Sequence, residues 1–144
     1  MVEPILTVEG LKTHFKLREG VLKAVDGISF SLAPDEVLCI VGESGSGKSV
    51  TAQSILRLID PPGYIVDGRI QYRDKDLLSL SEREMEKIRG DRICMIFQDP
   101  MTSLNPVFTI GEQIAEGLRE HQGLTKAEAA GRAIELLHAV GIPN

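Results

Sequence analysis

The stretch "GESGSGKS", Gly42 to Ser49, constrains this chain more than any other. It fits G-x-x-x-x-G-K-[ST] and follows five consecutive apolar residues, "VLCIV". From Lys48 to about Ile59 the spacing is helical, and "DPPG" stops it because Pro61 and Pro62 cannot continue a helix. Strand, glycine-rich turn and helix form the order that a phosphate-binding loop requires. With ordinary residue frequencies, roughly one random chain in two hundred of this length would match the letters alone. The flanking elements therefore carry the assignment.

Each residue type has a mechanical reason. Gly42, Gly45 and Gly47 let the backbone turn with its N–H groups inward, as an anion nest. The helix that starts near Lys48 adds its positive N-terminal end. The Lys48 ammonium can reach the β- and γ-phosphates, and the Ser49 hydroxyl is placed to ligate Mg²⁺. The expected nucleotide-binding set is Gly42, Glu43, Ser44, Gly45, Ser46, Gly47, Lys48, Ser49 and Val50.

A run of apolar residues such as "VLCIV" predicts a strand inside a parallel sheet covered on both faces, and "ICMIF" (93–97) predicts a second. Ile5–Leu11, Val21–Ala24 and the alternating "ISFSL" (28–32) read as strands, and "GRIQYR" as a short exposed one. Three capping boxes mark helices: Ser81 with Glu84, Thr109 with Glu112, and Thr125 with Glu128. The last helix sets Ala130, Ile134, Leu137 and Val140 along one side and ends at Gly141 and Pro143.

Composition removes several function classes. A net charge of −5, with no dense run of Lys and Arg, argues against nucleic acid as a partner. No apolar stretch approaches the roughly 18 residues of a membrane span, and "MVEPILTVEG" lacks the pattern of a signal peptide. Cys39 and Cys94 lie in the two apolar runs without metal-type partners, and read as reduced core residues of a cytoplasmic protein. His14, His121 and His138 are scattered, which argues against a metal site. The mixed charges of "SEREMEKIRGDR" read as a solvated helix face, and Met85, Met95 and Met101 as packing residues.

The loop alone does not select a class. "DPPG" has the letters of a GTPase D-x-x-G but terminates a helix too soon after the loop, which counts against a GTPase. The deciding stretch is "ICMIFQDPMTSLNP", Ile93 to Pro106. It resembles the glutamine-loop segment of ABC-transporter ATPases, and more narrowly the subfamily serving import of dipeptides, oligopeptides and nickel. "VGESGSGKSVTAQSILRLI" and "AVDGISFSL" are similar to that subfamily too, so the resemblance covers nearly the whole chain.

The resemblance implies an α/β P-loop core with an antiparallel β subdomain over residues 1–103, including the glutamine loop. Residues 104–144 would begin an α-helical subdomain. It implies ATP and Mg²⁺ as cofactors, with Lys48 and Gln98 in catalysis and Ser49 and Gln98 at the metal. Gln98 would meet Mg²⁺ and the attacking water through its side-chain oxygen. Phe15, in "LKTHF", matches the aromatic that stacks on adenine. The loop Asp99–Pro106 would touch the transmembrane permease subunits, with a second ABC ATPase subunit as the other partner. The protein would sit on the inner face of the cell membrane.

Members of this family continue into an LSGGQ-like signature, a strand ending in Asp and Glu, and a switch histidine. None of these occurs in the 144 residues. The sequence is therefore expected to be the N-terminal part of a longer protein, with "VLCIV" and "ICMIF" leaving unpaired edges. Two rival readings are a non-hydrolysing nucleotide-binding short form or regulatory module, and a small-molecule kinase. The kinase would have no place for "FQDPMTSLNP".

Overall fold

A computed structural model describes residues 3–99 and 103–143 and divides into two compact units, 1–85 and 86–144. In the first unit, β1 (Leu6–Leu17) and β2 (Gly20–Leu32) form a long antiparallel hairpin, closed where Leu17 pairs with Gly20. The strand β3 (Gly63–Tyr72) pairs antiparallel with the other edge of β1, and the two-residue β4 (Lys75–Asp76) follows, giving the order β2-β1-β3-β4. Val8 sits opposite both Phe30 and Ile70. Val8, Leu11, Ile70 and Leu77 are fully buried or nearly so, which makes β1 and β3 the centre of this unit's core.

Helix α1 (Lys48–Ile55) follows the glycine-rich turn. Its buried side chains, Thr51 and Ser54, are hydroxyls rather than hydrocarbons, so each needs a partner. Thr51 Oγ1 donates to the Gly47 carbonyl at 2.9 Å, and Ser54 Oγ donates to the Val50 carbonyl at 2.6 Å. The Ser54 hydroxyl also bonds Thr13 Oγ1 of β1 at 2.8 Å, inside the protein. That pair fastens the helix to the sheet. Beyond the helix, the Arg57 guanidinium donates to the carbonyls of Leu77 and Leu80 and lies 3.6 Å from the Glu82 carboxylate. Glu82 opens the one-turn helix α2 (Glu82–Glu86), whose Met85 is fully buried. Half of the expected box forms there: the Ser81 amide and hydroxyl both donate to the Glu84 carboxylate, while the Glu84 amide donates to the Ser81 carbonyl.

The second unit contains α3 (Ile110–Gln122) and α4 (Lys126–Ala139), joined through Gly123. Both expected capping boxes form, Thr109 with Glu112 and Thr125 with Glu128. The packed interface is built from Ala115, Leu118, Ala129 and Ala133, flanked by Ile114, Leu124 and Leu136.

Several sequence expectations need correction. "VLCIV" is not a buried strand: residues 37–41 have no strand geometry, with Val37 88% and Val41 91% exposed. "ICMIF" makes only an isolated bridge, Arg89 with Ile93, and Ile96 is 96% exposed. A strand exists only where a neighbour accepts its edge, and among the described residues neither run has one. Cys39 and Cys94 are consequently exposed rather than in a core.

Val21–Ala24 and Ile28–Leu32 belong to one strand, β2, because both pair with β1. "GRIQYR" falls in β3, whose Ile70 is wholly buried between β1 and β4. Helix α1 ends at Ile55, before the prolines. In α4 the packed side is Ala129 and Ala133. Ala130, Ile134 and Leu137 instead line a cleft of about 500 Å³ beside α3, and Val140 is exposed. Alanines win the contact because they let the helices approach closely.

Candidate functional site

The site begins with Gly47, the N-cap of α1, which takes a left-handed conformation (φ 89°). A side chain there would be strained by the backbone. Its Cβ would also run into the Ala24 carbonyl of β2. The turn thus presses against the sheet, and the sheet fixes where α1 begins. Gly45 is likewise left-handed (φ 80°). At Gly42 the loop closes on itself, since a Cβ would lie 2.6 Å from Ser46 Oγ.

Lys48 occupies the first position of α1 and folds back across its own loop. Its Nζ donates to the Gly42 carbonyl at 2.7 Å, the Glu43 carbonyl at 2.6 Å and Ser46 Oγ at 3.3 Å. These are three neutral oxygens around one cation. The Ser46 amide donates to the Glu43 carbonyl, and the Thr51 amide to the Gly47 carbonyl. The leading N–H groups of a helix have no partner within it, so Lys48 and Ser49 present donors at the positive end of α1. Ser49 is exposed beside them, and Val50 is half-buried.

The chemistry of this donor set fits an anion carrying several oxygens. Phosphate oxygens exchanged for the neutral ones at Lys48 would make charge-assisted hydrogen bonds, which are roughly twice as strong. The Ser49 hydroxyl is a hard oxygen suited to Mg²⁺. The loop and the Lys48 ammonium therefore form one constellation from Gly42 to Val50.

Phe15 lies in the same unit, half-buried on β1 between Leu22 of β2 and Gly63 of β3. Gln98 belongs to the second unit and is exposed after the "ICMIF" run. Within the loop Asp99–Pro106, Pro100, Met101 and Thr102 lie outside the described residues. Sequence reasoning missed three contacts: Ala24 against Gly47, Thr13 with Ser54, and Gly63 against Phe15. Hydroxyls at Thr51 and Ser54, three residues apart on α1, were the available signal for the second.

Comparison with known proteins bears on this arrangement. The family model described as "ABC transporter" matches residues 25–144. The chain is 52% identical over 143 residues to the oligopeptide transport ATP-binding protein OppD of Bacillus subtilis (strain 168), covering 99% of this chain and 40% of that protein. It is 47% identical over 144 residues to the dipeptide transport ATP-binding protein DppD of the same strain, covering 99% of this chain and 43% of that one. The chain therefore spans less than half the length of these curated relatives. Among solved structures, the dimeric post-hydrolysis state of the ATP-binding cassette MJ0796, bound to ADP and Pi, is similar with a TM-score of 0.77. Identity there is 26%, over 92% of this chain and 56% of the cassette. The expected α/β class, antiparallel sheet plus helices, agrees with that likeness.

Proposed function

The chain belongs to the ABC transporter family, and from that premise we propose that it is the nucleotide-binding part of an ATP-hydrolysing importer subunit. The observation that carries this reading is the Lys48 ammonium gathered onto loop oxygens at the N-terminus of α1. ATP would enter with its phosphates on the amides of Gly42 to Val50 and Lys48 on the β- and γ-oxygens. Ser49 and Gln98 would supply oxygens to hold Mg²⁺, whose charge would offset that of the phosphates. Phe15 would stack on the adenine.

Water attacks the γ-phosphorus, a bond forms to its oxygen, and the bond to the β–γ bridging oxygen breaks. In this reading Lys48 offsets charge in the ground and transition states alike, while Gln98 orients the water through its side-chain carbonyl. Residues 1–103 form the nucleotide-binding part, and residues 104–144 begin the helical subdomain. A second such subunit completes the working dimer, and permease subunits are engaged through Asp99–Pro106. Peptides are the proposed cargo, because the relatives are named for oligopeptide and dipeptide transport. The subunit would work on the inner face of the cell membrane; among the described residues no helix is long and apolar enough to cross one.

The 144-residue chain alone is proposed to bind ATP weakly without turnover, since the family's signature, acidic strand end and switch histidine are not among its residues and holding phosphates without them gives little rate. The experiment for the whole reading is Gln98→Ala in the intact subunit, followed by an ATP titration beside a steady-state rate. Binding should stay near wild type while hydrolysis slows. Unchanged hydrolysis with a large loss of affinity would refute the role given to Gln98.

A further inference from the structure

Gly63 opens β3 directly opposite Phe15. Its own backbone gives no reason for glycine, since its φ lies outside the left-handed region. Space does. A Cβ at this position would stand 2.6 Å from Phe15 Cε1, 2.9 Å from Phe15 Cδ1 and 2.6 Å from Ile59 Cγ2. Carbon atoms in contact sit about 3.5–4.0 Å apart, so one added methyl must displace the ring, Ile59, or both. The backbone is not free to absorb the change. The Gly63 amide donates to the Asp60 carbonyl at 2.9 Å, and the Lys16 amide, next to Phe15, donates to the Pro62 carbonyl at 3.1 Å. The ring is therefore seated on a bare Cα, between two strands tied together at that point.

We propose that Gly63 is a positioning residue for Phe15, and that through the ring it sets the preference of the site for an adenine nucleotide over a bare triphosphate. This rests on the reading of Phe15 as the adenine-stacking aromatic. Stacking depends on ring placement, whereas the Gly42–Val50 loop grips phosphates whatever lies at Phe15. A fault at Gly63 should weaken recognition of the base and leave the grip on phosphate intact.

The test compares affinities for ATP and inorganic tripolyphosphate, both with Mg²⁺, in the intact subunit. Phe15→Ala should cost ATP about tenfold, as loss of a base–aromatic stack does, with tripolyphosphate unchanged. Gly63→Ala should cost ATP about fivefold, again with tripolyphosphate unchanged. Adding Ile59→Ala to Gly63→Ala opens space beside the ring and should recover part of the loss. If Phe15→Ala lowers the ATP preference but Gly63→Ala leaves it at wild type, the inference about Gly63 is wrong and the reading of Phe15 stands. If Phe15→Ala leaves the preference unchanged, the reading of Phe15 falls and takes this one with it. A Gly63→Ala protein that misfolds, or loses tripolyphosphate and ATP together, makes Gly63 merely structural and overturns the proposal.

Discussion

The two units hold themselves together by different means. In the sheet unit, Leu11, Ile70 and Leu77 are fully buried, and the hydroxyls of Thr13 and Ser54 satisfy each other out of water. In the helical unit the shared core is small, built on Ala115, Leu118, Ala129 and Ala133, and each helix start is fixed by an exposed Thr–Glu box. Burial secures the first unit and surface hydrogen bonds define the second. The glycine-rich turn and α1 belong to the first unit, where the Thr13–Ser54 bond ties the helix to the sheet.

The largest expected effect tests the sheet side. Leu11→Ala should cost about 2–5 kcal/mol, seen in denaturant unfolding of the sheet unit. A cost under 1 kcal/mol would remove the contrast between the units. Next comes Thr13→Val, which removes one of the two hydrogen bonds of the buried Ser54 hydroxyl and should cost up to about 1.5 kcal/mol. Because that bond anchors α1, nucleotide affinity should weaken with it. Unaltered affinity together with lost stability would mean that the loop does not depend on the sheet.

Effects in the helical unit should be smaller and confined to it. Thr109→Ala should cost about 1 kcal/mol, the usual loss of an N-cap, and speed amide exchange in α3 alone. Acid should give the mildest signal. The Thr109 hydroxyl and amide hold the Glu112 carboxyl below its ordinary value of 4.5, and Thr125 does the same for Glu128. A carboxylate depressed in the folded state stabilises at neutral pH, and that stability is lost as pH falls below 4.5 through the folded value. Helix starts at Ile110 and Lys126 should therefore fray on acidification before the β1–β3 pairing does, whose own depressed carboxyl, Asp67 beside Gly68 and Lys12, starts from the lower ordinary value of 3.8, as read by pH-resolved hydrogen exchange. Simultaneous loss would contradict the distinction.

What the sequence could disclose follows the same line. Local signals were readable: the glycine-rich turn ahead of α1 is one continuous octet, and each Thr–Glu box depends on residues three apart. The β1–β2 hairpin was only half visible, since its continuity depends on pairing over its whole length. "VLCIV" and "ICMIF" misled because apolar content states a wish for burial but not the presence of a neighbour. The packed face of α4 was misjudged for a related reason: Ile134 and Leu137 carry more hydrocarbon, yet Ala129 and Ala133 fit the partner helix. Gly63 was invisible, because its meaning lies in a ring that faces it from another strand.

The central claim is that the Gly42–Val50 loop, with Lys48 at its heart, is the grip on nucleotide phosphates. Its most direct test is calorimetric titration of the intact subunit and its Lys48→Ala variant with ATP and Mg²⁺. At least a tenfold loss of affinity is predicted, because the loop amides alone cannot offset the γ-phosphate charge. Equal affinities for the two proteins would contradict the account.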